Sequence, residues 1–93
     1  MYSIAYTTNF ARKYKALVKN NRNLAIKIDS AVEVMRVNPH NPRLKSHRVG
    51  HDRVYGALWS SRVTGDIRII WFCHKNDTML LLLANVGGHD NVY

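Results

Sequence analysis

The sequence has 93 residues, enough to bury about two-thirds of its unfolded surface around one hydrophobic core and too few for a second domain. Fourteen Lys and Arg face six acidic residues, a net charge of +8. That balance favours polyanionic partners, whether nucleic acid, ribosomal RNA, anionic lipid or an acidic protein, with plain solubility as the alternative. Residues 1–93 are therefore expected to form a single domain. Tyr2 to Tyr6 is short, alternating and aromatic, the pattern of a strand, and lacks the apolar run of a signal peptide. Thr7, Thr8 and Asn9 then offer capping oxygens to a helix. Phe10, Tyr14, Leu17 and Val18 stand at i, i+4, i+7 and i+8 of that helix, while Arg12, Lys13, Lys15 and Lys19 fill much of its other face.

The run Asn20-Asn21-Arg22-Asn23 breaks the first helix, and Leu24, Ile28, Ala31, Val32 and Met35 form the apolar stripe of a second. It ends near Val37, because the residue before Pro39 is disfavoured in helical geometry. The two helices make an antiparallel hairpin that needs a sheet to cover its apolar stripes. Pro39 to Asp52 reads as a loop carrying Arg43, Lys45, His47 and Arg48. Three strand-like runs follow, Tyr55 to Val63, Ile67 to His74 and Thr78 to Val86, joined by the polar turns Thr64-Gly65-Asp66 and Lys75-Asn76-Asp77. Gly87-Gly88 ends the sheet, and His89 to Tyr93 is a short tail with room for one helical turn. The expected order is β-α-α-β-β-β, an α+β fold with the helical hairpin on one face of a small, mostly antiparallel sheet. The longest apolar stretch, Met79 to Ala84, is far too short to span a bilayer, so a cytoplasmic protein with no membrane contact is expected.

Arg62 and Arg68 flank the turn Thr64-Gly65-Asp66. If that turn is tight their guanidiniums lie close together, which favours an anion between them, and the planar fork of arginine matches phosphate oxygens. Alternatively Asp66 or Asp90 satisfies one of them. A helical turn would put His89 and Tyr93 on one side, an imidazole for proton transfer beside a phenol that can stack on a base, although both are also ordinary surface residues. Asp66 can act as an acid or base, or can cap its own turn. His47 and His51 have the spacing of a metal pair, but Gly50 argues against a helix there, and no metal or other cofactor is expected. Cys73, within Trp71-Phe72-Cys73-His74, reads as a buried thiol rather than a nucleophile. Arginines, histidines, an aspartate and a tyrosine suit metal-independent RNA cleavage, in which a 2′-hydroxyl is activated, the phosphorane stabilised and the leaving 5′-oxygen protonated.

Arg62-Val63-Thr64-Gly65-Asp66-Ile67-Arg68, set between apolar strands, resembles the Arg-x-Gly-Asp-x-Arg turn of the RelE/ParE superfamily of bacterial toxins. Gly87-Gly88-His89-Asp90-Asn91-Val92-Tyr93 is similar to the closing Gly-x-His-x-x-x-Tyr/Phe of its YafQ-like branch. Leu44-Lys45 sits where that superfamily carries a Leu-Lys, and the resemblance extends over essentially the whole chain. It implies a toxin of a two-gene toxin–antitoxin pair that cuts messenger RNA on the ribosome, with an antitoxin protein, the ribosome and mRNA as partners. By position it implies a general acid or base at His89 and an RNA contact at Tyr93, with Asp66, Arg62 and the loop histidine His47 as further catalytic residues and Arg68 either catalytic or structural. The basic loop residues Lys45 and Arg48 are expected to bind the RNA. Thr64 makes the turn one residue longer than the commonest spacing. Val49 to Val54 departs from the family pattern and leaves His47 and His51 interchangeable. Two other functions fit the same resemblance: a ParE-like inhibitor of DNA gyrase without RNase activity, and a non-toxic nucleic-acid-binding relative.

Overall fold

The computed structural model describes residues 1–92. The elements are β1 (Ser3–Tyr6), α1 (Thr8–Val18), α2 (Arg22–Val37), a 3-10 turn (Pro42–Leu44), β2 (His47–Asp52), β3 (Gly56–Arg62), β4 (Ile67–His74), β5 (Asp77–Gly88) and α3 (His89–Val92). Both long helices begin where capping chemistry permits. The Thr7 hydroxyl accepts the Phe10 amide at 3.1 Å, and Asn21 Oδ1 accepts the Leu24 amide at 3.1 Å, each satisfying an amide that the helix itself leaves open. Asn38 and Pro39 terminate α2 as expected.

The described strands form one sheet in the order β1-β5-β4-β3-β2. β2 to β5 are antiparallel neighbours, whereas β1 lies parallel to β5, with Ser3 opposite Leu80 and Tyr6 opposite Leu83. The α+β layering is thus as expected, but the sheet is mixed and has one strand more than the expected order. The added strand is β2, in the stretch expected to be loop. His-Arg-Val-Gly-His-Asp carries no apolar alternation because it is an edge strand with little to bury on either side. The glycines end the sheet as expected, as the last two residues of β5, with Gly87 opposite Arg68 and Gly88 opposite Ile67.

Alternation along β4 divides the sheet into two faces. Ile69 and Trp71 join Phe10, Ile28, Val32, Met35, Leu81, Leu83 and Val86 in the core beneath the helices, and Trp71 is fully buried. Arg68, Ile70 and Phe72 therefore point to the opposite face, which no long helix covers. A bulge in β5 skips Ala84 between the pairs Ile70–Asn85 and Trp71–Leu83. The freed Ala84 carbonyl accepts hydrogen bonds from Thr7 Oγ1 at 3.1 Å and Asn9 Nδ2 at 3.0 Å, which ties the start of α1 to the sheet. Cys73 lies past the last core residue of β4 and is exposed rather than buried. Among the described residues no helix is long and apolar enough to cross a membrane.

Candidate active site on the open face

A chain of hydrogen bonds from the core sets the start of β2. Trp71 Nε1 donates to Ser61 Oγ at 2.7 Å, the Ser61 and Ser46 hydroxyls lie 2.6 Å apart, and Ser46 Oγ donates to the Pro39 carbonyl at 2.6 Å. The next residue, His47, pairs with Ser60, the open-face partner of Ile70, so its imidazole belongs to the open face. Its Nδ1 lies 3.1 Å from the Lys45 carbonyl. The bulge between Arg48 and Gly50 then shifts the alternation, and His51 pairs with Ala57, on the helix-side face of β3. The two histidines that were interchangeable in sequence therefore occupy opposite faces and do not form a metal pair. Arg48 pairs with Trp59, which packs against the core, and is placed away from the open face.

α3 turns back over the same face. The His89 amide donates to the Asp66 carbonyl at 3.1 Å and lies 3.4 Å from Asp66 Oδ1. Lys13 Nζ reaches the Asn91 carbonyl at 3.4 Å from α1. Gly88 makes this docking possible, since a Cβ there would stand 3.1 Å from Asp66 Oδ2. The Asp66 carboxylate thus meets the start of α3. Nδ1 of that ring lies 3.6 Å from Asp90 Oδ1.

His47 from β2 and His89 from α3 line one open cleft of about 460 Å³ with Val49, Ile70 and Val92. Arg68 lies two residues from Ile70 on the same face of β4, about 7 Å along the strand, and opposite Arg62 in the β3–β4 ladder. The longer turn has not separated the two arginines. Arg62 Nε and Arg68 Nη1 both donate to the Thr64 carbonyl, at 3.2 and 2.7 Å, and Arg68 Nη2 donates to that of Gly65 at 3.2 Å. Neither pairs with Asp66 or Asp90 among the described residues, so turn carbonyls hold the two cations together and leave further N–H donors outward. Arg62 also borders a second cleft, toward α2, with Lys27, Arg43 and Gly65, which puts it at the margin of the site.

Lys45 caps the 3-10 turn in a left-handed conformation, φ 48°, and is exposed. Tyr93, expected on the RNA, lies outside the described residues. Desolvation by its neighbours pushes the Cys73 thiol pKa up, which opposes a nucleophilic role. Sequence reasoning missed the apolar floor of the cleft, Val49, Ile70 and Val92. Ile70 was legible as the outward member of an apolar strand, whereas Val49 enters only through the bulge.

No protein-family model and no curated protein sequence matches the chain. Solved structures do. YafQ from E. coli superposes with a TM-score of 0.74 at 17% identity over 100% of this chain and 99% of its own. The RelE/ParE fold is present here. A YoeB/ParE toxin from Agrobacterium tumefaciens shares it with a TM-score of 0.77, at 16% identity over 94% of this chain and 98% of that one. So does YafQ in its complex with DinJ, with a TM-score of 0.70 at 17% identity over 100% and 99%. At such identities the common property is the RelE/ParE architecture itself, and the residue assignments stand on the geometry above.

Proposed function

We propose that the chain is the toxin of a toxin–antitoxin pair and cleaves messenger RNA on the ribosome by metal-independent acid–base catalysis. The observation that carries this reading is the meeting of His47 and His89, remote in sequence, in one open cleft beside the Arg62–Arg68 pair. The resemblance of fold to toxins, one of them seen in complex with DinJ, supports it.

Cleavage needs three things at one phosphodiester. A base removes the proton of the 2′-hydroxyl, whose oxygen attacks the adjacent phosphorus. Cations stabilise the crowded phosphorane. An acid then protonates the departing 5′-oxygen, leaving a 2′,3′-cyclic phosphate and a free 5′-hydroxyl. Two imidazoles across a cleft can divide the proton transfers, and Arg68, assisted by Arg62, can hold the phosphate. Asp66 acts in this scheme by fixing where α3 begins, and hence where His89 stands. Lys45 supplies a further cation at the rim. The antitoxin is expected to be acidic and to cover this face, with an affinity that falls as salt rises.

The test is a ribosome-programmed cleavage reaction with mapping of mRNA 5′ ends, wild type beside His89→Ala and His47→Ala. New ends in the ribosomal A site that disappear in the variants support the reading. Growth arrest with DNA damage and no new ends would sink it in favour of a gyrase inhibitor.

A further inference from the structure

The other end of the open face carries a feature that the proposed chemistry does not use. Tyr55, in the β2–β3 turn, is 50% exposed although its ring lies flat on Phe72, with centroids 4.2 Å apart and planes 20° from parallel. Phe72 is 2% exposed and lies outside the core cluster, on the same face of β4 as Arg68 and Ile70. Tyr55 therefore covers Phe72 with one side of its ring and leaves much of its surface to solvent.

The turn holds the ring in place. Asp52 Oδ1 accepts the Val54 amide at 2.7 Å and the Tyr55 amide at 3.0 Å, and these bonds hold the Asp52 carboxyl below the usual aspartate range. Gly56 closes the turn at φ 82°, a conformation that other residues rarely adopt. Arg53 lies in the same turn, and Lys75 follows Phe72 by three residues in the β4–β5 turn. Neither is ion-paired with an acidic side chain among the described residues. Of the carboxylates at this end, Asp52 is engaged with its own turn, and Asp77 Oδ1 likewise accepts the Met79 amide at 3.0 Å.

We infer that Tyr55, backed by Phe72, is a stacking platform for one base of a single-stranded RNA whose scissile phosphate lies at the His47–His89 cleft. The inference rests on the RNA-cleaving reading and adds a subsite to it. An aromatic ring with a solvent-facing side, flanked by cations, is the arrangement that holds single-stranded nucleic acid without reading its sequence. Arg68 and Phe72 stand on one face four residues apart, about 13 Å along the strand, a gap that a short run of nucleotides bridges. A net charge of +8 over the whole chain makes RNA a better occupant than a basic or neutral protein surface.

The experiment uses messenger RNA carrying 2-aminopurine at successive positions on either side of the cleavage site, bound to programmed ribosomes and to the full chain with His89→Ala, so that the RNA survives. One position should show fluorescence quenching that Tyr55→Ala removes and Tyr55→Phe keeps, together with roughly five- to hundredfold weaker binding for Tyr55→Ala. The salt dependence of binding should stay that of the parent, because no phosphate contact is lost. Tyr55→Trp should bind at least as tightly as the parent, which separates loss of a platform from loss of the fold, and melting temperatures check the same point. Unchanged quenching and affinity in Tyr55→Ala would overturn the platform and leave the nuclease reading intact. If the parent binds no RNA but Tyr55→Ala disrupts a complex with the antitoxin, the ring is a protein contact and both readings fail.

Discussion

The two faces of the sheet are built from the same strands and obey different rules. On β4, Ile69 and Trp71 turn inward to a dry, close-packed layer, while Arg68, Ile70 and Phe72 turn outward to a face that receives only short elements, β2 at its edge and α3 at its end. The covered face provides stability through apolar area. The open face uses that rigidity to hold polar groups that would cost stability if buried. Substitutions at neighbouring positions of β4 should therefore fail in different ways, Ile69 and Trp71 by unfolding and Arg68 by loss of activity, whereas the outward but buried Ile70 and Phe72 should also cost stability.

The largest expected effect is on the open face. His89→Ala should lower ribosome-dependent cleavage by about 10²–10⁴-fold, the range for loss of a general acid or base, while its thermal midpoint stays at the wild-type value. A fall in midpoint comparable to that of a core variant would break the contrast between faces. Next is Trp71→Ala on the covered face, expected to cost about 3–5 kcal/mol in denaturant unfolding, with the Ser61 hydroxyl losing its indole donor. Asp66→Ala should be milder, because the Asp66 carbonyl still accepts the His89 amide at 3.1 Å and only the 3.4 Å carboxylate contact is lost. That loss should be confined to α3, with faster amide exchange at His89, a lower cleavage rate and little change in RNA affinity. The smallest effect concerns Asp52. Its folded carboxyl is depressed, first by the Tyr55 amide and then by that of Val54, so its contribution is present above the unfolded pKa and is lost as pH falls below about 4. Val54 and Tyr55 amide shifts followed by NMR through acid titration should report the release of the turn before the sheet unfolds, and Asp52→Ala should abolish that step.

Legibility in the sequence followed the same division. Ile28 and Met35, the deepest residues of α2, were marked by helical spacing alone, and Ile69 and Trp71 by their place in an apolar strand. These are residues whose burial is decided by their own periodicity. The partner of β1 was not legible, because a short alternating strand does not encode which neighbour it will meet or in which direction. β2 was hidden for a different reason. An exposed edge strand has no apolar code, and its single bulge decides that His47 faces the cleft and His51 does not. The Arg62–Arg68 juxtaposition was readable from the turn between them. The docking of Asp66 against Gly88 was not, since it joins two segments through space. The glycine pair in the sequence signalled the end of the sheet, and Gly88 has the further use of letting a carboxylate approach the strand.

The parallel pairing of β1 with β5 governs when the molecule can form during synthesis. Thr7, at the head of α1, bonds to the carbonyls of Leu83 and Ala84, and these partners emerge from the ribosome only after some seventy-six further residues. Until then the nascent helical hairpin lacks the Leu81, Leu83 and Val86 side of its core, so closure of the molecule is expected late in translation.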